Sequence, residues 1–358
     1  MGNCCSNIES LPKPTQIYDI PDELESRSIN IKSFNLITVL GKGSFGRVLL
    51  MEKKDTQKIY AIKVIHKRNL LNSQKKNHAL MERKLLAQIT SPFVVKLRYA
   101  FQNSEKLYLV LDFLQGGDLY YHLSVHKQFS EDMTRFYAVE IILALGDLHD
   151  NNIIYRDLKP ENILMDKTGH IRLADFNLAA TTNDGEKTDS ICGTPEYVSP
   201  EVLKGSAYGF EVDFWALGCV IYEMIEGRSP FYSSNYKSLY TKIVNGNFRF
   251  SDIFTLKAMD LISQLLCVSV KNRLTNIAKL QKHDFFANVD WEAAYKKKMN
   301  PPIIPVISND RDTRYFMPGS GMDSPNIHLT LLQKENNEFP GFTYEESLKQ
   351  QFSFKDSM

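Results

Sequence analysis

Tyr155-Arg156-Asp157-Leu158-Lys159-Pro160-Glu161-Asn162, followed after a short hairpin by Asp175-Phe176-Asn177, is the stretch on which the reading of this 358-residue chain turns. One loop and the turn after it carry a carboxylate, an ammonium and two further oxygen donors. Asp157 is placed to accept and orient a hydroxyl proton, and Lys159 to neutralise a migrating phosphoryl group. Asn162 and Asp175 would bind the metal ions that bridge nucleotide phosphates. Mg2+ prefers oxygen ligands of this kind. A merely solvated polar loop gives no account of the octapeptide and a second acidic site in this order.

Upstream, Leu40-Gly41-Lys42-Gly43-Ser44-Phe45-Gly46-Arg47-Val48 lies between two runs that read as strands. Its glycines let backbone amides approach phosphates closely. A dinucleotide fold would put them at a strand-to-helix turn, and a Walker loop would end in Gly-Lys-Ser/Thr, so both fail locally. A glycine hairpin with no ligand stays open until Ala61-Ile62-Lys63. Alternation puts Ala61 and Lys63 on one face beneath the loop, where Lys63 can hold the α and β phosphates. A buried lysine needs an anionic partner. Glu82 is the only acidic residue between Lys75 and Thr90, on the one helix predicted nearby.

The chain around these motifs divides in two. Phe34 to Leu40, Arg47 to Glu52, Ile59 to Ile65 and Leu107 to Phe113 read as strands, with a helix over Asn77 to Ile89. After Gly116-Gly117 the pattern is helical over Asp118 to His126, Ser130 to Asn151, Val212 to Glu226 and Leu256 to Cys267. The expectation is an α+β fold of two lobes, a small β-rich lobe with one main helix and a large, mainly α lobe. Residues 1–33 read as an N-terminal segment and linker, 34–286 as the folded domain, and 287–358 as a polar, Pro-containing tail that wraps over it.

Composition supports one large globular unit. Lys plus Arg and Asp plus Glu nearly cancel, 43 against 42, so no global field calls for nucleic acid. Five cysteines without a Cys-x-x-Cys pair suit a reducing compartment, and Cys192, Cys219 and Cys267 read as ordinary buried thiols. No run approaches the roughly 20 apolar residues of a membrane span. The chain begins Met-Gly-Asn-Cys-Cys-Ser, which fits N-myristoylation at Gly2, with Cys4 and Cys5 as palmitoylation sites. One acyl chain binds a membrane only marginally, so the second anchor matters. The expected location is the cytoplasmic face of a membrane, otherwise the cytoplasm.

From about Phe34 onward the chain resembles the AGC family of Ser/Thr protein kinases, and is similar to the cyclic-AMP-dependent kinase, protein kinase B and ribosomal S6 kinase groups. Besides the motifs above, the likeness rests on Cys192-Gly-Thr-Pro-Glu-Tyr197, Ser199-Pro-Glu201, Asp213-Phe-Trp215 and Arg273. The resemblance implies a Glu201–Arg273 pair, Asp213 bracing the catalytic loop, and Leu86, Leu97, Tyr155 and Phe176 stacked as a hydrophobic spine. It places an activating phosphate on Ser190, facing Arg156 and His78. It assigns Asp118, Glu161 and Glu223 to substrate arginines, hence protein substrates with basic residues two or three positions before Ser or Thr. In the tail it matches Asn300 to Pro305, Asp312 to Phe316 and Phe339-Pro-Gly-Phe-Thr343-Tyr344. Phe339 and Phe342 would dock beside the Glu82 helix, with Thr343 a second phosphosite for an upstream kinase. The implied small molecules are ATP and Mg2+, and a monomer is expected.

Two departures stand out. Asn177 replaces the family's usual glycine, as in the YANK kinases, and is expected to accept a left-handed backbone. Met317-Pro-Gly-Ser320 stands where the family often has acidic residues. A membrane-tethered pseudokinase is the alternative reading, and it predicts a lost lysine, base or metal ligand; none is lost.

Overall fold

The computed structural model describes residues 29–43, 46–70, 72–182, 188–190, 192–316 and 339–346. Strands β1 (Phe34–Gly43), β2 (Gly46–Lys53) and β3 (Ile59–His66) form where apolar and polar residues alternate between glycine-rich or polar turns. After α1 (Ser73–Gln88), β4 (Leu97–Gln102) and β5 (Lys106–Asp112) complete the core of an antiparallel sheet. Its order is β1-β2-β3-β5-β4, and a two-residue strand from the tail is added beyond β4. On one face Phe34 stacks with Phe101 beside Tyr60 and Tyr108. On the other, Leu85 and Leu86 of α1 join the large core. Asn72 caps α1, its Oδ1 accepting from the Gln74 amide at 2.8 Å.

The large lobe is built on α2 (Leu119–His126), α3 (Glu131–Asp150) and α5 (Glu211–Glu226), with α4 (Pro200–Leu203) preceding α5. Ser130 caps α3, and Glu131 and Asp132 favour its N-terminal dipole. Residues 212–225 of α5 are buried on every side, as expected of a helix that is apolar all round and central. It ends at Gly227, φ +81°, where a Cβ would lie 2.1 Å from the Lys127 carbonyl oxygen, so only glycine fits. Helices α6 (Tyr236–Asn245), α7 (Leu256–Leu265), α8 (Ile277–Gln281) and α9 (Trp291–Tyr295) pack outside it. Between α3 and α4, the short pairs β6 (Ile153–Ile154) with β9 (Ala180–Thr181) and β7 (Ile163–Met165) with β8 (Ile171–Leu173) frame the Tyr155 and Asp175 segments. The tail strand β10 (Tyr344–Glu345) pairs with β4, Tyr344 opposite Ala100.

The two-lobe, α+β expectation holds. Strand β4, helix α6 and β10 add to it. Of the three described cysteines only Cys219 is fully buried. Cys192 lies in a loop 3.7 Å from the Tyr208 hydroxyl, and Cys267 follows α7, where its carbonyl accepts from Arg273. Among the described residues no helix is long and apolar enough to cross a membrane.

Candidate active site

The site begins with Lys63, set on β3 opposite Val48 and Leu109. Its Nζ donates to Glu82 Oε1 at 2.6 Å, Asp175 Oδ1 at 2.8 Å and Asn177 Oδ1 at 2.9 Å. An ammonium has three donors, and all three are used. Burial pulls the Lys63 pKa down, but the charges of Glu82 and Asp175 outweigh it and hold the ammonium above its ordinary value. For Asp175, burial pushes upward, and the Lys63 charge and the Asn177 backbone amide keep its carboxyl below the usual range. Burial also pushes the Glu82 carboxyl up against the opposing Lys63 charge. The Phe176 backbone amide acts with Lys63 against that push.

Asp213, fully buried on α5, builds the second half of the site. It accepts from the backbone amides of Tyr155 at 3.0 Å and Arg156 at 2.8 Å, with His149 Nε2 at 2.9 Å. These bonds hold Arg156 at φ +67°, a conformation that costs a non-glycine residue on the order of 1–3 kcal/mol. The loop so fixed presents Asp157. Asn162 Nδ2 donates to Asp157 Oδ2 at 2.8 Å and to its carbonyl at 2.7 Å, and Lys159 Nζ lies 3.1 Å from Oδ2. Thr194, which the sequence reading left without a role, donates to Asp157 Oδ1 at 2.9 Å and accepts from Lys159 at 2.7 Å. Asp157 is therefore an oriented carboxylate, placed to accept a hydrogen bond from a substrate hydroxyl.

Asn177 departs from expectation. It is not among the residues with a left-handed backbone; Asp175 is, at φ +55°. The position uses the amide side chain, which reaches Lys63, rather than the freedom of a glycine. Gly46 does need its lack of a side chain: a Cβ there would meet the Val64 carbonyl oxygen at 1.7 Å. A Cβ on Gly41 would meet nothing within 4 Å, which leaves room above the strand. Leu40 is buried, and Ala61 and Val48 are half-buried under the loop. Lys42 and Gly43 belong to β1, whereas Ser44 and Phe45 lie outside the described residues.

Behind the cleft, Tyr155 and Phe176 meet edge to face, ring centroids 5.2 Å apart, and share one core with Leu86 and Leu97. Arg273 grips Glu201 with both terminal nitrogens, at 2.6 and 2.9 Å.

The family description "Protein kinase domain" matches residues 34–286 of this chain. A RAC family serine/threonine-protein kinase homolog of Dictyostelium discoideum is 40% identical over 89% of the chain and 73% of its own length. The serine/threonine protein kinase ypkA of Aspergillus fumigatus is 42% identical over 90% of the chain, and the RAC serine/threonine-protein kinase of Drosophila melanogaster 41% over 93%. The chain belongs to the protein kinase family. Its relatives set this kinase in the AGC type of Ser/Thr kinases, of which it spans about half the length of the Aspergillus and Drosophila proteins.

Members of this family use ATP and Mg2+, and the kinase's own residues fit both. Asn162 and Asp175 bring hard oxygen donors to one side of the cleft, and Lys63, held by Glu82, a cation for phosphates.

In the activation segment, Tyr208 stands between the expected partners. Its hydroxyl donates to the Ser190 carbonyl and lies 3.4 Å from Arg156 Nη1, while Arg156 Nε donates to the Leu178 carbonyl. Burial and the Arg156 charge lower the pKa of His78.

The kinase's large lobe gathers Asp118, Glu161 and Glu223 with a fourth carboxylate, Glu196, that sequence reasoning missed inside its own Cys-Gly-Thr-Pro-Glu motif. Asp118 also caps α2, accepting from the Tyr121 amide at 2.7 Å. Its pKa is pushed up to about 6, by burial first and by Glu161. Glu223 is pushed up to about 7 by burial, with Glu161 and Glu196 adding to it against a hydrogen bond from Tyr197 Oη at 2.6 Å. Among the described residues none of the four pairs with a basic side chain, so together they form an acidic cluster.

The tail docks as the resemblance implied. Phe339 and Phe342 are buried against the small lobe. Lys76 of α1 sits 4.8 Å from the Phe339 ring centroid. Arg83, one residue after Glu82, donates to the carbonyls of Phe342 at 3.0 Å and Thr343 at 2.6 Å. The Thr343 side chain is exposed. Nearer the hinge, Phe316 packs on Phe113 at 5.5 Å, and Arg311 pairs with Glu52 at 2.6 Å.

Proposed function

We propose that this kinase moves the γ-phosphate of ATP onto Ser or Thr hydroxyls of proteins that carry Arg or Lys two or three residues upstream. The observation that carries the reading is the Asp157 constellation opposite Lys63. Asp157 orients the hydroxyl and takes its proton, Asn162 and Thr194 keep the carboxylate aimed, and Lys159 offsets charge on the group in transfer. Mg2+ held by Asn162 and Asp175 would offset the charge of the ATP phosphates. The burial of Glu223 and half-burial of Asp118 support the basic-substrate preference, because a carboxylate shielded from water gains most from an arginine fork.

Phosphates on Ser190 and Thr343 would activate the enzyme. The first adds about two negative charges near Arg156 and His78, and the second strengthens a tail that already braces α1 through Arg83. Acylation of Gly2, Cys4 and Cys5, which lie outside the described residues, would hold a monomer at the cytoplasmic face of a membrane. This part rests on the sequence alone. Membrane fractionation of the Gly2→Ala variant tests it, and retention of that variant at the membrane would sink it.

The test of the main reading is Mg-dependent transfer of labelled phosphate to an Arg-rich Ser/Thr peptide library. Transfer should vanish in Asp157→Ala. Transfer without any bias toward upstream arginine would remove the basic-substrate claim and leave the kinase one.

A further inference from the structure

Asn177 holds a position that the backbone does not require it to hold. Its φ is not left-handed, so glycine's freedom is not needed there, and its side chain is nine-tenths buried. What the amide does is visible in the hydrogen bonds. Lys63 is a pure donor, so the group facing it at 2.9 Å must be the Asn177 oxygen. With Glu82 and Asp175 taking the other two N–H groups, that oxygen fills the last donor of the ammonium. A phosphate entering the cleft must therefore displace a protein oxygen from Lys63. Glu82 is fixed within α1 and almost wholly buried, which leaves Asp175 and Asn177 as the groups to be displaced.

Both displaceable groups are hard oxygens, and both lie within 3 Å of one nitrogen, as an ammonium and then a divalent cation could share them. A cation that draws these oxygens away frees Lys63 for phosphate. Without it, phosphate competes with both for the same protons. With glycine at 177 there would be one competitor, Asp175; here there are two.

We propose that Asn177 makes nucleotide binding in this kinase more dependent on a divalent cation, by occupying the Lys63 donor that a phosphate needs until the cation claims the amide oxygen. Asn177 is thus a positioning residue that acts through Lys63. The proposal rests on the reading of the cleft as a Mg-nucleotide site.

The experiment is calorimetric binding of ADP to the full chain, in excess chelator and in saturating Mg2+, for the parent protein and for Asn177→Gly and Asn177→Ala. Loss of one competing hydrogen bond, worth about 1 kcal/mol, should tighten metal-free ADP binding by about fivefold in both variants. Mg-ADP binding should stay the same or weaken, so the gain in affinity on adding Mg2+ shrinks by about fivefold or more. An unchanged ratio would overturn the inference while leaving the nucleotide site intact. A change in the glycine variant alone would also overturn it, because backbone freedom and not the amide would then be the cause. Failure of the parent protein to bind ADP under either condition would overturn the reading of the cleft and the inference with it.

Discussion

Two buried ion pairs, one in each lobe, are built to opposite rules. Arg273 meets Glu201 through two hydrogen bonds, spends further N–H groups on the carbonyls of Cys267 at 2.9 Å and Glu211 at 3.0 Å, and lies over Trp215 at 5.0 Å. Four of the five N–H groups of the planar fork are matched, and burial's upward push on Glu201 is overcome by the arginine. Lys63 meets Glu82 through one oxygen and divides its charge among three acceptors. The first pair spends its bonds inside the lobe. The second spends two of its three ammonium bonds on Asp175 and Asn177, oxygens outside the pair that a ligand can replace.

The contrast is broken most forcefully from the large-lobe side. Arg273→Ala should destabilise the kinase by about 3–5 kcal/mol in urea denaturation, because it strands a buried carboxylate. Loss of less than about 1 kcal/mol would mean that the fork is not structural. Glu82→Gln should do the reverse, keeping stability within about 1 kcal/mol while lowering kcat/KM by about a hundredfold, or ~2.7 kcal/mol.

Asp118 and Glu223 extend the comparison to carboxylates with no cationic partner among the described residues. Their raised pKa values, about 6 and about 7, mean that the folded protein binds more protons than the unfolded chain. The associated stability is therefore fully present below their ordinary values near 4, and is lost as pH rises through 6 and 7. Asp118→Asn or Glu223→Gln should raise stability at pH 7.5, on the order of 1–3 kcal/mol each. The same changes should raise KM for an Arg-containing peptide. In the parent protein that KM should climb as pH falls from 8 to 6, with kcat moving less. A flat profile would place the arginine site elsewhere. The smallest effect belongs to Glu346→Gln, which removes the partly exposed Arg98–Glu346 pair and should cost less than about 1 kcal/mol of tail docking, read by hydrogen exchange of residues 339–346.

Much of this was legible where the information is local. The Asp157 loop, the glycine hairpin and the Lys63 strand carry their chemistry in a few adjacent residues, and the Asp118 and Ser130 caps fall at the predicted helix starts. What escaped depends on distance or on a second face. Leu97–Gln102 lacks clean alternation because parts of both its faces are covered, one by α1 and the other by aromatic rings. Helix α6 was hidden because exposed Tyr236 and Tyr240 blur the apolar stripe of Leu239 and Ile243. Thr194 and Glu196 sat inside a recognised motif, but their partners come from the catalytic loop and from α5. Asn177 was read as a question of backbone shape, and its answer lies in a side-chain bond across 114 residues.

The tail strand has an effect beyond catalysis. Tyr344 and Glu345 cover part of β4, which would otherwise be the last strand of the sheet with a row of open amides and carbonyls. Such an edge is a template for pairing with another chain. A tail that lets go would bare that edge, so the segment that docks beside the Glu82 helix also covers a pairing surface.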